Sequence, residues 1–122
     1  MLTARAALEM FRDMKISLTP LRNYLDGDLS DIIAKPVIVR SENVIELLQL
    51  YLDNQISDQT ILDWVNTIWF TDYFEYYTPQ ADSIASVMTE LEMIDEDGYI
   101  FNKEIANIFI KVLRNNAEYY ST

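Results

Sequence analysis

The side chains that most often carry catalysis are missing, for the 122 residues include no histidine and no cysteine. Their absence removes the Ser-His-Asp triad, the Cys-His dyad, the Glu-x-x-His di-iron motif, His- or Cys-ligated zinc and any disulfide framework. Two glycines cannot build a phosphate cradle, and neither Gly-x-x-x-x-Gly-Lys nor Gly-x-Gly-x-x-Gly occurs. What survives is carboxylate chemistry, either a paired-acid hydrolase or a magnesium site. With 20 acids, no pair stands out by spacing. The chain is therefore expected not to be an enzyme and to hold no cofactor and no metal.

One segment has metal-loop spacing. Met93 to Glu104, MIDEDGYIFNKE, can be laid on the twelve-residue EF-hand loop, with Asp95 at position 3, Asp97 at 5, Gly98 at 6, Ile100 at 8 and Glu104 at 12. The first position, normally an aspartate ligand, is Met93, whose thioether suits a hard cation poorly. An acidic turn of Asp-Gly type joining two helices is the better expectation.

A second segment is suited to recognition. In Trp69 to Tyr77, WFTDYFEYY, six of nine residues are aromatic and the only charges are Asp72 and Glu75. No helix can bury six rings on one face. Tyrosine and tryptophan dominate binding hot spots, so the segment reads as a binding patch. Equally, Trp69, Tyr73 and Phe74 could plug the core. Both readings hold together if Tyr76 and Tyr77 stay outside.

Charge is distributed by region. Between Arg40 and Lys103 there is no lysine or arginine and there are thirteen acids; the flanks carry plus 1 each, for a net charge of minus 11. Such a field attracts a basic partner and repels nucleic acid and anionic membranes. No apolar run approaches a membrane span, Glu9 and Asp13 interrupt the first residues where a signal peptide needs an apolar run, and a cytoplasmic location is expected.

The elements that must position these residues are helices, because apolar spacing follows period 3.6 far better than period 2. Thr3 caps a first helix that buries Ala7, Met10, Phe11 and Met14, leaves Arg5, Glu9 and Arg12 in water and ends near Lys15. Thr19-Pro20 reads as cap and first residue of a short helix stopped at Asp26-Gly27, and another turn follows Ser30. Pro36-Val-Ile-Val is either a short strand or a buried connector.

From Ser41 the pattern strengthens. Glu42, Glu46, Gln49 and Asp53 form a polar stripe opposite Val44, Ile45, Leu47, Leu48, Tyr51 and Leu52. Ser57 caps the next helix, with Ile56 and Ile61 as a hydrophobic staple and Ile61, Leu62, Val65 and Ile68 inward. Thr78-Pro79 opens a helix with Ala81, Ile84, Ala85, Val87, Met88 and Leu91 apolar. Asn102 caps a last helix, with Lys103, Asn107, Lys111 and Arg114 opposite Ile105, Ile108, Phe109 and Val112. The expected fold is all-α. It is a compact bundle of four main amphipathic helices in one domain, with residues 1–40 charge-balanced, 41–114 an acidic helical core and 115–122 a frayed tail.

In size, charge, helicity and lack of cysteine the chain resembles bacterial immunity proteins, which neutralise toxins that are often basic nucleases. Tyr76-Tyr77-Thr78-Pro79 resembles the Tyr-Tyr-Pro element of the colicin E immunity family, also placed between two helices and followed by acids, with Thr78 inserted before the proline. Leu50 to Asn66, LYLDNQISDQTILDWVN, is similar to a helix-turn-helix of other small immunity-type proteins. The resemblance implies inhibition by occlusion. Asp63, Asp72, Glu75 and Asp82 would meet lysines and arginines of a toxin, while Trp69, Tyr73, Tyr76 and Tyr77 form the desolvated centre. A generic protein-interaction domain is the alternative; nucleic-acid mimicry and a single calcium site rank below it.

Overall fold

The computed structural model describes residues 2–120. It is mainly helical, with helices α1 (Ala4–Arg12), α2 (Leu18–Arg22), α3 (Ser30–Ala34), α4 (Ser41–Leu52), α5 (Asp58–Phe70), α6 (Ala81–Leu91) and α7 (Lys103–Arg114). A 3-10 turn, Thr78–Gln80, leads into α6. Two three-residue strands, β1 (Val37–Val39) and β2 (Phe74–Tyr76), add a small sheet to this mainly helical frame.

The caps explain where helices begin. Thr3, Ser57 and Asn102 each accept a hydrogen bond from a first-turn backbone N–H, those of Ala6, Thr60 and Ile105 at 3.0, 3.3 and 3.0 Å. Two cap expectations fail. Ser17, not Thr19, precedes α2, and Thr78 starts the 3-10 turn without a side-chain cap bond. At α4 the chain uses half of a capping box, for Asn43 Oδ1 accepts from the Arg40 N–H at 2.8 Å.

Helices α1, α4 and α7 end in the same way, each with a left-handed residue: Met14 (φ 61), Asn54 (φ 60) and Asn116 (φ 49). The following N–H groups of Lys15, Gln55 and Ala117 reach back to the carbonyls of Met10, Leu50 and Val112, closing the six-to-one bond of a Schellman motif. Asparagine tolerates this conformation; Met14 adopts it while its side chain packs against the core.

Strands β1 and β2 pair in parallel, Val37 with Phe74 and Val39 with Tyr76. A parallel pair needs a long crossover, which α4 and α5 supply. Val37 N–H donates to Tyr73 O and Tyr77 N–H to Val39 O, both at 2.8 Å. Val37, Val39 and Phe74 are buried while Glu75 points outward, as strand alternation requires.

One continuous core draws on every helix and both strands. Helix α7 packs against α4 and α6, and α5 against α1, α4 and α6. Each fully buried Leu, Ile, Val or Phe contributes about 1.5–3 kcal/mol. Trp64 is the largest buried side chain, and its indole N–H donates to the backbone carbonyls of Phe11 (3.2 Å) and Arg12 (3.3 Å), tying α5 to the end of α1.

Four expectations about facing need correction. Arg5 and Arg12 are half-buried rather than water-facing. Arg5 donates to the Lys35 carbonyl, and Arg12 to Ile38 O at 2.9 Å and to the Asp13 carboxylate, so the first helix is pinned to the segment leading into and through β1. Met10 is only half-buried, its expected place taken by Leu8. Ile108 is 40% exposed, because α7 turns Ala106, Phe109, Ile110 and Leu113 inward. Residues 115–120, expected to fray, are tied back. Asn116 Nδ2 donates to Pro79 O at 3.1 Å, Tyr119 N–H donates to Ser86 Oγ at 2.9 Å, and the Tyr119 ring meets Phe109 edge to face at 5.0 Å. Residues 121 and 122 lie outside the described residues.

Candidate functional site: an aromatic cleft beside the parallel strands

The aromatic segment does not behave as a unit. Trp69 and Phe70 are the last residues of α5, where a 100° step per residue prevents both from following Ile61, Val65 and Ile68 inward. Trp69 is 40% exposed and Phe70 71% exposed. Thr71 Oγ1 donates to the Thr67 carbonyl at 2.7 Å, and the chain then turns into β2. Tyr73 is half-buried and Phe74 is buried.

Between the end of α5 and β2 lies a cleft of about 270 Å³ lined by Ile68, Trp69, Thr71, Phe74 and Tyr76. Tyr76 forms part of the wall and packs against the core, contrary to the expectation that it stays outside. Burial, and secondarily the Glu92 carboxylate, pushes its phenol well above the usual tyrosine range, so it stays a neutral hydrogen-bonding group. Tyr77 is also half-buried, and the Arg40 guanidinium sits 4.0 Å over its ring. Such a stack is worth about 0.5–1 kcal/mol at an exposed site.

The expected acids divide. Asp72 and Glu75 are exposed within the stretch that bears the cleft. Asp63 instead accepts from Gln59 Nε2 at 2.8 Å and lines a different cleft of about 310 Å³ with Met14, Lys15 and Trp64. Asp82 is exposed on the first turn of α6. Among the described residues the only ion pair joins neighbours Arg12 and Asp13, at 2.9 Å. The basic stripe of α7, Lys103, Lys111 and Arg114, is exposed and neutralises none of the acids of residues 41–102 by direct pairing.

No group of three or more acids converges in a metal-holding arrangement among the described residues, those of Met93–Glu104 included. No described helix is long and apolar enough to cross a membrane. Sequence reasoning passed over Phe70, the most exposed ring of the stretch. The signal that could have found it was already present, since fixing Ile61, Val65 and Ile68 inward places position 70 outward. No family model, curated protein or solved structure matches the chain.

Proposed function

We propose that this chain is a non-enzymatic protein-binding module. Its aromatic cleft docks a basic partner protein, and its most specific form is an immunity-type inhibitor that occludes a basic toxin. The surrounding architecture is read as a bundle of α4, α5, α6 and α7 with α1–α3 laid across one side. The observation that carries the reading is the pair Trp69 and Phe70, consecutive and both exposed, with Trp69 on the wall of the cleft. Rings left in water beside a concave apolar surface are the usual anchors of protein recognition. Unpaired acids around them supply steering toward a cationic surface.

Two roles follow. Asp72 and Glu75 act on the association rate, because exposed charges guide encounters and are screened by salt. Trp69, Phe70 and Tyr76 act on the dissociation rate, because desolvated anchors hold the complex. The test is affinity capture from the source lysate at about 50 mM salt, where charge steering is only partly screened, with wild type and a Trp69→Ala/Phe70→Ala variant run side by side. A single basic protein, released by salt and absent from the variant, is expected. In purified form that partner should lose about 2 kcal/mol or more of affinity for the variant. Equal capture by both proteins, or a scatter of cationic proteins, overturns the proposal.

A further inference from the structure

The two strands have unequal free edges. Val37 N–H donates to Tyr73 O and Tyr77 N–H to Val39 O, so Tyr73, Glu75 and Tyr77 turn their backbone groups toward β1, and alternation turns those of Phe74 and Tyr76 the other way. On β1 the residue facing away from its partner strand is Ile38. Its carbonyl accepts from Arg12 Nη1 at 2.9 Å, with α1 packed alongside. On β2 the N–H and C=O groups of Phe74 and Tyr76 make no hydrogen bond to the protein among the described residues. Buried backbone groups are almost always paired, so an edge of this kind is completed by water or by an added strand.

The aromatic cleft borders these same two residues, with Ile68, Trp69 and Thr71 completing its lining; α6 packs against β2 but contributes no residue to the cleft. Side chains on β2 divide by face. Phe74 is buried and Tyr76 half-buried on one face, and Glu75 is exposed on the other, in a region with no lysine or arginine between Arg40 and Lys103. A strand laid beside β2 would meet aromatic surface with every second side chain and a carboxylate with the others. A second copy of this chain fits that pattern badly. Antiparallel pairing of two copies centred on Glu75 sets the two carboxylates opposite each other, between bodies that each carry a net charge of minus 11.

Resting on the basic-partner reading above, we infer that the partner is held by strand addition: an extended segment in which apolar and basic residues alternate pairs with the free edge of β2. Its backbone takes the N–H and C=O groups of Phe74 and Tyr76, its apolar side chains lie on the cleft face beside Trp69, and a basic side chain faces Glu75. Main-chain bonds give such pairing its affinity, and the alternation of side chains gives its specificity. Glu75 serves twice, attracting a basic strand and discouraging edge-to-edge pairing of like chains.

The test is an amide-resolved NMR titration of the whole chain with the acetylated, amidated pentapeptide Arg-Val-Arg-Val-Arg and with two analogues, N-methylated on both valines or on all three arginines. In an antiparallel pairing the residues that bond Phe74 and Tyr76 lie opposite them and are valines; in a parallel pairing the bonding residue lies opposite Glu75 and is an arginine. The parent peptide should saturate with a dissociation constant of about 1 mM or below, shifting the amides of Phe74 and Tyr76. One methylated analogue, and not the other, should bind at least about tenfold more weakly, which also reports the strand direction. Glu75→Lys, at an exposed position, should weaken the parent at least about threefold and strengthen a Glu-Val-Glu-Val-Glu peptide. A parent that fails to saturate, or two analogues equally weak, overturns strand addition. Two analogues that both bind like the parent overturn it as well, while leaving the docking of a basic partner to be decided by the lysate capture. Shifts of the Phe74 and Tyr76 amides on dilution of the free protein would assign the edge to a second copy and overturn the basic strand.

Discussion

Two groups of rings show how differently one chain uses its aromatics. Tyr51, Phe101, Phe109 and Tyr119 come from four separate stretches and stand in a row, with centroids 4.8, 6.3 and 5.0 Å apart. Trp69, Phe70, Tyr73, Phe74, Tyr76 and Tyr77 are crowded into nine residues, and no pair of them approaches in this way among the described residues. The first group joins α4, the approach to α7, α7 itself and the chain beyond it. The second is divided between core, cleft wall and solvent. Rings far apart in sequence meet one another here, while the neighbouring rings divide, Phe74 into the core and Trp69 and Phe70 toward solvent, because adjacent residues must face different ways on any regular element.

The largest effect should come from the first group. Phe109→Ala removes a fully buried ring with two aromatic neighbours and should cost about 3–5 kcal/mol in urea unfolding. A loss below about 1 kcal/mol would break the contrast between the groups. Tyr119→Ala should cost about 1–2 kcal/mol, since it deletes the edge-to-face contact and loosens the segment docked on Ser86. If residues 115–120 were loose in solution, that variant would unfold like the wild type.

Alkaline unfolding probes the same region. Burial, then Glu90 and Tyr119, raises the Tyr99 phenol from 10.0 to about 12. The folded protein keeps this proton while the unfolded chain releases it, so the stability is fully present below pH 10.0 and is lost as pH rises toward about 12. Tyr99→Phe should flatten that decline, read as the unfolding midpoint against pH. An unchanged slope would place the decline on other groups, such as Tyr76.

The smallest effect is expected at the surface. Phe70→Ser should change stability by no more than about 0.5 kcal/mol, because the ring is 71% exposed. A cost above about 2 kcal/mol would mean that the ring is packed in solution and that Trp69 and Phe70 form no open edge.

Much of the fold was legible before any coordinates. The stripes of α4 and α5 and the caps Thr3, Ser57 and Asn102 are local features, set within one or two turns of helix. The strands were half legible. Val37–Val39 carried strand-like residues, but three residues give too short an alternation to decide, and their partner lay inside an aromatic run. Of the expected partner-binding residues, Trp69 and Tyr76 share a cleft, Asp72 and Glu75 are exposed nearby in the sequence without lining it, and Asp63 faces another cleft. That division depends on which flank of α5 meets α1 and which meets β2, and no local spacing contains it.

The sequence alone determined the mainly helical character, the starts of α1, α5 and α7, the regional charge and the exclusion of histidine- and cysteine-based chemistry, all of which follow from residue type and short-range geometry. Tertiary structure alone decided that β1 and β2 pair across α4 and α5, that Arg5 and Arg12 turn inward to carbonyls, that Tyr119 docks on Phe109, and that the Ser41 N–H donates to Gln80 Oε1. Each of these joins residues far apart in the chain. Their free energy comes from burial and hydrogen bonding that exist only once distant segments have met.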